Sequence, residues 1–185
     1  MINKQATQRT REHVVSDAAK LGTETVRGTP PPFHIILLRP EIPPNTGNIM
    51  RLCAVTGAML HLVGPLGFRL DAAAVRRAGM DYRHLNPVRR YDDWPGYWAE
   101  HPVDTPLYAV STRGKKSYTD CTFVPGDRFL FGSEGSGLPA ELLAQFQAGL
   151  IRIPMLHAVR SLNLANAVSV VLYEALRQNG FTGLI

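Results

Sequence analysis

Short apolar runs alternate along the chain with stretches whose apolar residues recur at helical spacing. FHIILL (33–38), MLHLV (59–63), LYAV (107–110), RFLFG (128–132) and LIRIP (150–154) read as strands, and NIMRLCAVTG (48–57) reads as a helix. Further helices are expected near 72–78, 91–100, 139–148 and 163–178. Strands separated by helices predict an α/β fold: a mostly parallel sheet with helices on both faces. In such sheets ligands sit beyond the carboxyl ends of the strands, so the loops after 38, 110, 132 and 154 are the places to look. The last helix sharpens that expectation. Ala165 to Leu176 is apolar enough to be buried on more than one side, yet Ser161, Asn163 and Asn166 stand at its entrance. A buried amide without a partner costs about 1–3 kcal/mol, so Ser161 and Asn163 are expected to serve a loop that holds a ligand, with Asn166 either a site residue or a satisfied interface amide.

With 185 residues, 45% of them hydrophobic, the chain can bury one good core. The folded domain is expected to span 33–185. Residues 1–32 are polar, end in the TPPP run of Thr29 to Pro32, and read as a disordered N-terminal extension. A net charge of +5 leans toward a polyanionic partner without separating that reading from a merely basic surface. Cys53 and Cys121 make no metal-ligand spacing and no disulfide framework, which suits a reducing cytoplasm. His34, His61, His84, His101 and His157 show no metal spacing either, so no metal site is expected. No apolar run is long enough to span a bilayer, and the N-terminus lacks a signal-peptide core. Glu12, Asp17 and Glu24 argue against a transit peptide.

Two loops carry candidate chemistry. In RPEIPPNTGNIMR (39–51), Pro43 and Pro44 stiffen the chain, Asn45 or Thr46 can cap the coming helix, and Gly47 allows close backbone approach. Asn48 and Arg51 share a helix face just inside that entrance. The segment suits an anion or ribose-phosphate site; the plainer alternative is that Asn45 only caps and Arg51 only pairs with a carboxylate. In SEGSGLP (133–139), Gly135 and Gly137, with Gly132 before them, surround Glu134, and Pro139 opens the next helix. Such a loop lets a ligand lie against backbone groups, although glycine turns before helices are common. The first strand is not followed by G-x-G-x-x-G, there is no P-loop, and no carboxylates cluster for a metal. A classical dinucleotide site is disfavoured, and so is a phosphate- or nucleotide-binding hydrolase that merely uses the glycine loops. Neither cysteine sits in a nucleophile setting. Arg160, Tyr173 and the pairs Arg76-Arg77, Arg89-Arg90 and Lys115-Lys116 are candidates for RNA contact, with core, interface or solvated roles as alternatives.

Taken in order, NTGNIMR, FLFGSEGSGLP, and IRIPM followed by SLNLANAVSVVLYEA resemble the three motifs of the SPOUT class of RNA methyltransferases, in its SpoU-like 2'-O-ribose branch. The resemblance extends over about residues 33–183. PEIPPNTGNIMRLCAVTG and RRAGMDY (76–82) are most similar to the small bacterial tRNA (cytidine/uridine-34-2'-O)-methyltransferases. One departure is Ser133 with Gly135-Ser136, where that subgroup more often has a proline and a Thr-Arg pair; it bears on the substrate more than on the reaction. The resemblance implies a C-terminal deep trefoil knot, an S-adenosylmethionine site within it, and a homodimer with composite active sites. It implies 2'-O-methylation of the wobble nucleotide 34, cytidine or carboxymethylaminomethyluridine, in the anticodon stem-loop of a tRNA. The alternatives are another tRNA or rRNA ribose, or a non-catalytic knotted RNA-binding dimer. By the same resemblance Val110, Ser111, Gly132, Glu134, Gly135, Ile153, Ser161 and Leu162 hold the cofactor. Arg51, Asn45, Glu134, Ser161 and Asn163 form the catalytic set, Arg51 as a clamp on phosphate and developing alkoxide, Asn45 to orient it or the ribose, and Glu134 to fix Asn45 or the knot loops.

Overall fold

The computed structural model describes residues 32–68, 88–101 and 106–185. The expected helix at 72–78, the RRAGMDY segment, Arg76, Arg77, His84 and nearly all of the N-terminal extension lie outside them. Seven strands form one parallel sheet: β1 (His34–Leu38), β2 (Met59–Val63), β3 (Val88–Tyr91), β4 (Leu107–Val110), β5 (Lys116–Ser117), β6 (Arg128–Phe131) and β7 (Leu150–Arg152). Their order across the sheet is β3-β2-β1-β6-β4-β7-β5. The central β1 pairs His34 with Met59 on one side and with Arg128 on the other.

Alternation along β1 sorts the core into two layers. Ile35 and Leu37 pack with Ile49 and Cys53 of helix α1 (Pro43–Thr56) and with Val168, Val171, Leu172 and Ala175 of helix α4 (Leu164–Gln178). Ile36 and Leu38 face the other way, onto Tyr97 of α2 (Trp94–Glu100) and Leu142 and Leu143 of α3 (Ala140–Gln145). Helices therefore cover both faces, which explains why β1, β2 and β6 are buried almost throughout.

The differences from the sequence reading are shifted element ends and two additional strands. Helix α1 begins at Pro43, five residues before the expected start, because prolines at its first two positions need no N–H partner and have the right fixed φ. Asn45 and Thr46 consequently sit inside the first turn and do not cap it; the N-cap is Ile42, which has no capping side chain. Strands β3 and β5 went unread: VRRY has polar residues at its two central positions, and β5 has only two residues. The expected helix from 91 shortens to 94–100, with Asp93 accepting a hydrogen bond from the Gly96 N–H at 2.8 Å.

Candidate active site

The loops after β1, β4, β6 and β7 meet beyond the carboxyl ends of the strands and enclose a pocket of about 480 Å³. Each loop arrives there for a local reason. The loop after β6 folds back as an antiparallel bridge between Ser133 and Gly137, with the Gly137 N–H on the Ser133 carbonyl at 2.9 Å. That return is tight: a Cβ on Gly132 would lie 2.1 Å from the carbonyl carbon of Gly137. Gly137 itself has φ 69°, a conformation that favours glycine. The loop after β4 is tied to β7 by the Ser111 N–H on the Ile151 carbonyl at 2.9 Å.

A polar relay joins the walls. Glu134 accepts from the Glu41 N–H at 2.8 Å, from the Ile42 N–H at 3.3 Å, and from Asn45 Nδ2 at 2.9 Å. The carboxylate thus holds, from another loop, the N–H groups of the two residues that lead into α1, beside the positive end of the helix. Asn45 Oδ1 in turn accepts from Asn163 Nδ2 at 2.9 Å, and Asn163 Oδ1 accepts from the Ala165 N–H at 2.9 Å and the Asn166 N–H at 3.3 Å, capping α4. The polarity runs one way. A carboxylate can only accept, so Asn45 must turn its NH2 toward Glu134 and its oxygen toward Asn163, which leaves the Asn163 oxygen for the helix. Glu41 closes the clasp from the other side, its Oε2 accepting from the Gly135 N–H at 3.1 Å.

All eight residues expected to hold a cofactor line this pocket: Val110, Ser111, Gly132, Glu134, Gly135, Ile153, Ser161 and Leu162. Asn45 and Asn163 line it too. Arg51 does not. It is an exposed residue six positions beyond Asn45, about 9 Å along the α1 axis. Asn166 is exposed and gives its backbone N–H to the Asn163 cap, which answers the question of why an amide stands there only for the backbone. Sequence reading missed Glu41, and also Thr112, Arg113 and Met155 on the pocket wall. The Glu41 contact joins residues 94 positions apart, and no local pattern signals it.

In the layer between the sheet and α2, burial creates a second polar cluster. His34 Nδ1 lies 2.9 Å from His61 Nε2, His61 Nδ1 lies 3.2 Å from the Tyr91 hydroxyl, and that hydroxyl lies 2.8 Å from His101 Nε2. Burial lowers the pKa of His34 to about 4, helped by the charges of His101 and Arg128, and holds His61 well below its ordinary value. Burial also pushes the Cys53 thiol up, which removes it as a nucleophile. Among the described residues no His, Cys, Asp and Glu side chains gather as a metal site, and no helix is long and apolar enough to cross a membrane.

Comparison with known proteins agrees with this geometry. Residues 32–173 match the SpoU rRNA methylase family. A tRNA (cytidine(34)-2'-O)-methyltransferase of Burkholderia ambifaria is 53% identical over 153 residues, covering 82% of this chain and 98% of that protein. The protein of the same name from Escherichia coli K12 is 47% identical, covering 83% and 98%. A solved structure concerned with 2-OH methylation of C/U34 on tRNA superposes with a TM-score of 0.75 at 44% identity, covering 80% of this chain and 96% of that one. The SpoU methyltransferase AviRb of Streptomyces viridochromogenes in complex with AdoMet superposes at 0.69 with 27% identity, covering 85% and 62%. With the family's match running from β1 into α4 and through every loop of the pocket, the chain belongs to the SpoU rRNA methylase family.

Proposed function

We propose that this protein transfers a methyl group from S-adenosylmethionine to the ribose 2'-hydroxyl of nucleotide 34 of a tRNA. The observation that carries the reading is the Glu134–Asn45–Asn163 relay, which couples the pocket wall to the starts of two helices in a chain about half identical to tRNA (cytidine(34)-2'-O)-methyltransferases.

The pocket suits the cofactor. Its volume falls within the roughly 300–1,000 Å³ of small-molecule sites. Leu138, Leu143 and Ile153 offer apolar surface to a flat base, while the turning backbones of 132–137 and 153–162 offer N–H and C=O groups to polar edges. When bound, the cofactor supplies an electrophilic methyl on a sulfonium.

The chain's own task is to hold the ribose hydroxyl in line and let its proton leave. Glu134 serves as a positioning residue, because its two oxygens already receive three donors. Among the described residues lining the pocket there is no histidine or cysteine. Arg51, as a guanidinium, is a poor base and a good clamp for phosphate and developing alkoxide charge. The proton then leaves through a phosphate oxygen or water.

The position of Arg51 off the pocket wall favours a site completed by a second copy of the chain. Val55 on α1 and Tyr173 on α4, 57% and 46% exposed, offer apolar surface for such a homodimer. The knot reading is supported by residues 111–116, which cross the end of β7 so closely that a Cβ on Gly114 would lie 2.5 Å from the Ile151 carbonyl carbon. Residues 33–185 act in this reading as one catalytic domain in the cytoplasm, where tRNA is found.

Calorimetric titration with S-adenosylmethionine tests the enzyme reading, and absence of binding refutes it. Mass spectrometry of tRNA nucleosides from a deletion strain tests the substrate, and unchanged ribose methylation at position 34 refutes that. Arg51→Ala is expected to keep cofactor affinity and lose turnover; retained methylation would remove Arg51 from the mechanism.

A further inference from the structure

We propose that Arg113, Lys115, Lys116 and Arg152 form a ledge that grips the phosphate backbone of the RNA strand adjoining the target nucleotide; the inference rests on the function proposed above. The four come together at one edge of the sheet. β5 pairs with β7 so that Lys116 stands opposite Ile151 and Ser117 opposite Arg152. The turn before β5 is pinned: the Gly114 N–H donates to the Ser111 carbonyl at 3.0 Å, the Arg113 N–H donates to Ser111 Oγ at 3.3 Å, and Gly114 is pressed against the Ile151 backbone. With Gly114 buried, Arg113 and Lys115 on either side of it are exposed, as are Lys116 and Arg152. A fixed backbone carrying four outward cations presents charge at defined places.

Two further features give the ledge its partner. It begins at the pocket itself, since Thr112 and Arg113 line the wall next to Ser111. And the charge is uncompensated: among the described residues none of the four cations has a carboxylate within 4.0 Å, the ion pair found being Arg177 with Glu174 at 2.8 Å. Like charges so gathered repel one another unless a polyanion meets them. A nucleic-acid strand whose ribose enters the pocket must lay its neighbouring phosphates on this rim or on the opposite one. The register of β5 on β7 puts Lys116 on the face of Ile151 and Arg152 on the face of Ser117, so the two cations flank the sheet edge from opposite faces and meet a strand running along that edge from both sides. Among the described residues the other exposed basic pair, Arg89 and Arg90, lies on β3 at the far edge, six strand spacings or roughly 29 Å away, and provides an internal control.

The test is the salt dependence of binding to an anticodon stem-loop RNA, measured with the full chain. Each phosphate contact contributes roughly 0.7–0.9 to the slope of log K against log salt concentration. Lys115→Ala/Lys116→Ala is expected to lower that slope by about 1.5 and to raise the KM for RNA about tenfold, with S-adenosylmethionine affinity unchanged. Arg152→Ala is expected to lower the slope by about 0.8, and Arg90→Ala to leave it unchanged. An unchanged slope in the lysine variant, or an equal loss in Arg90→Ala, overturns the ledge. The two readings fail differently: a wild type that transfers no methyl group refutes the function, whereas a wild type that methylates while its lysine variant keeps the slope refutes the ledge alone.

Discussion

Replacing Glu134 by glutamine changes almost no volume, yet it should disturb the relay from end to end. The carboxylate faces three donors, Glu41 N–H, Ile42 N–H and Asn45 Nδ2, with its two oxygens. A carboxamide has one oxygen and must turn its own NH2 toward at least one of them. If the NH2 faces the Glu41 N–H, the shortest bond, 2.8 Å, is lost and becomes a contact between donors, while the bond from Asn45 weakens from charge-assisted to neutral. If it faces Asn45, the Asn45 amide must flip, then Asn163 must flip, and the cap of α4 loses its acceptor. The first arrangement costs less. A charge-assisted bond contributes about 1.5–3 kcal/mol and a neutral one about 1 kcal/mol, and water reaches the exposed Glu41 N–H, so the net loss is about 2–3 kcal/mol. For a domain of this size that corresponds to a melting temperature lower by roughly 4–12 °C. Differential scanning calorimetry with and without S-adenosylmethionine reads both stability and cofactor affinity, and both should fall. A variant with wild-type melting temperature and affinity would show that the charge of Glu134 does not set the orientation of the two asparagines.

The cap of α4 can be separated from the relay at Asn163: Asn163→Asp keeps the oxygen for the Ala165 N–H but faces Asn45 Oδ1 with an acceptor, so it should recover the roughly 1 kcal/mol of cap lost in Asn163→Ala without recovering turnover. Equal activity in Asp and wild type would count against the relay. Stability should also respond to acid through the imidazole cluster. The folded-state pKa of His34, about 4, lies below its unfolded value near 6.5, so the neutral form stabilises the fold fully above pH 6.5 and this contribution is lost as pH falls toward 4. Urea midpoints at pH 7.5, 6 and 5 should decline in that order, and a flat series would refute the burial argument. Among the loop glycines, Gly132→Ala is expected to prevent folding, because the new Cβ meets backbone at 2.1 Å, whereas Gly137→Ala, at φ 69° in open space, should cost about 1–2 kcal/mol. Soluble, cooperatively unfolding Gly132→Ala protein would contradict the tight return of that loop.

The amino-acid sequence by itself determined the α/β class, the five apolar strands and the four loops at which to look, because apolar period and turn residues are local properties. Its resemblance to one family singled out eight residues that the loops after β4, β6 and β7 do bring together on one pocket wall, while Thr112, Arg113 and Met155 on the same wall were not among them. Local pattern could not show that β3 is a strand, since two of its four residues are exposed arginines and its pairing partner fixes it. Nor could it show why α1 begins at a proline without a capping side chain. Only the tertiary structure decided that Glu134, 92 residues from the N-cap Ile42, holds the Ile42 N–H, that Asn45 answers to Glu134 and Asn163 at once, and that Arg51 stands off the pocket wall. The amide of Asn163 at the entrance of the last helix has the same explanation. Asn163 was visible as a polar residue before an apolar helix, but the partner that fixes its orientation lies 118 residues away, and a contact of that span belongs to the fold rather than to any stretch of chain.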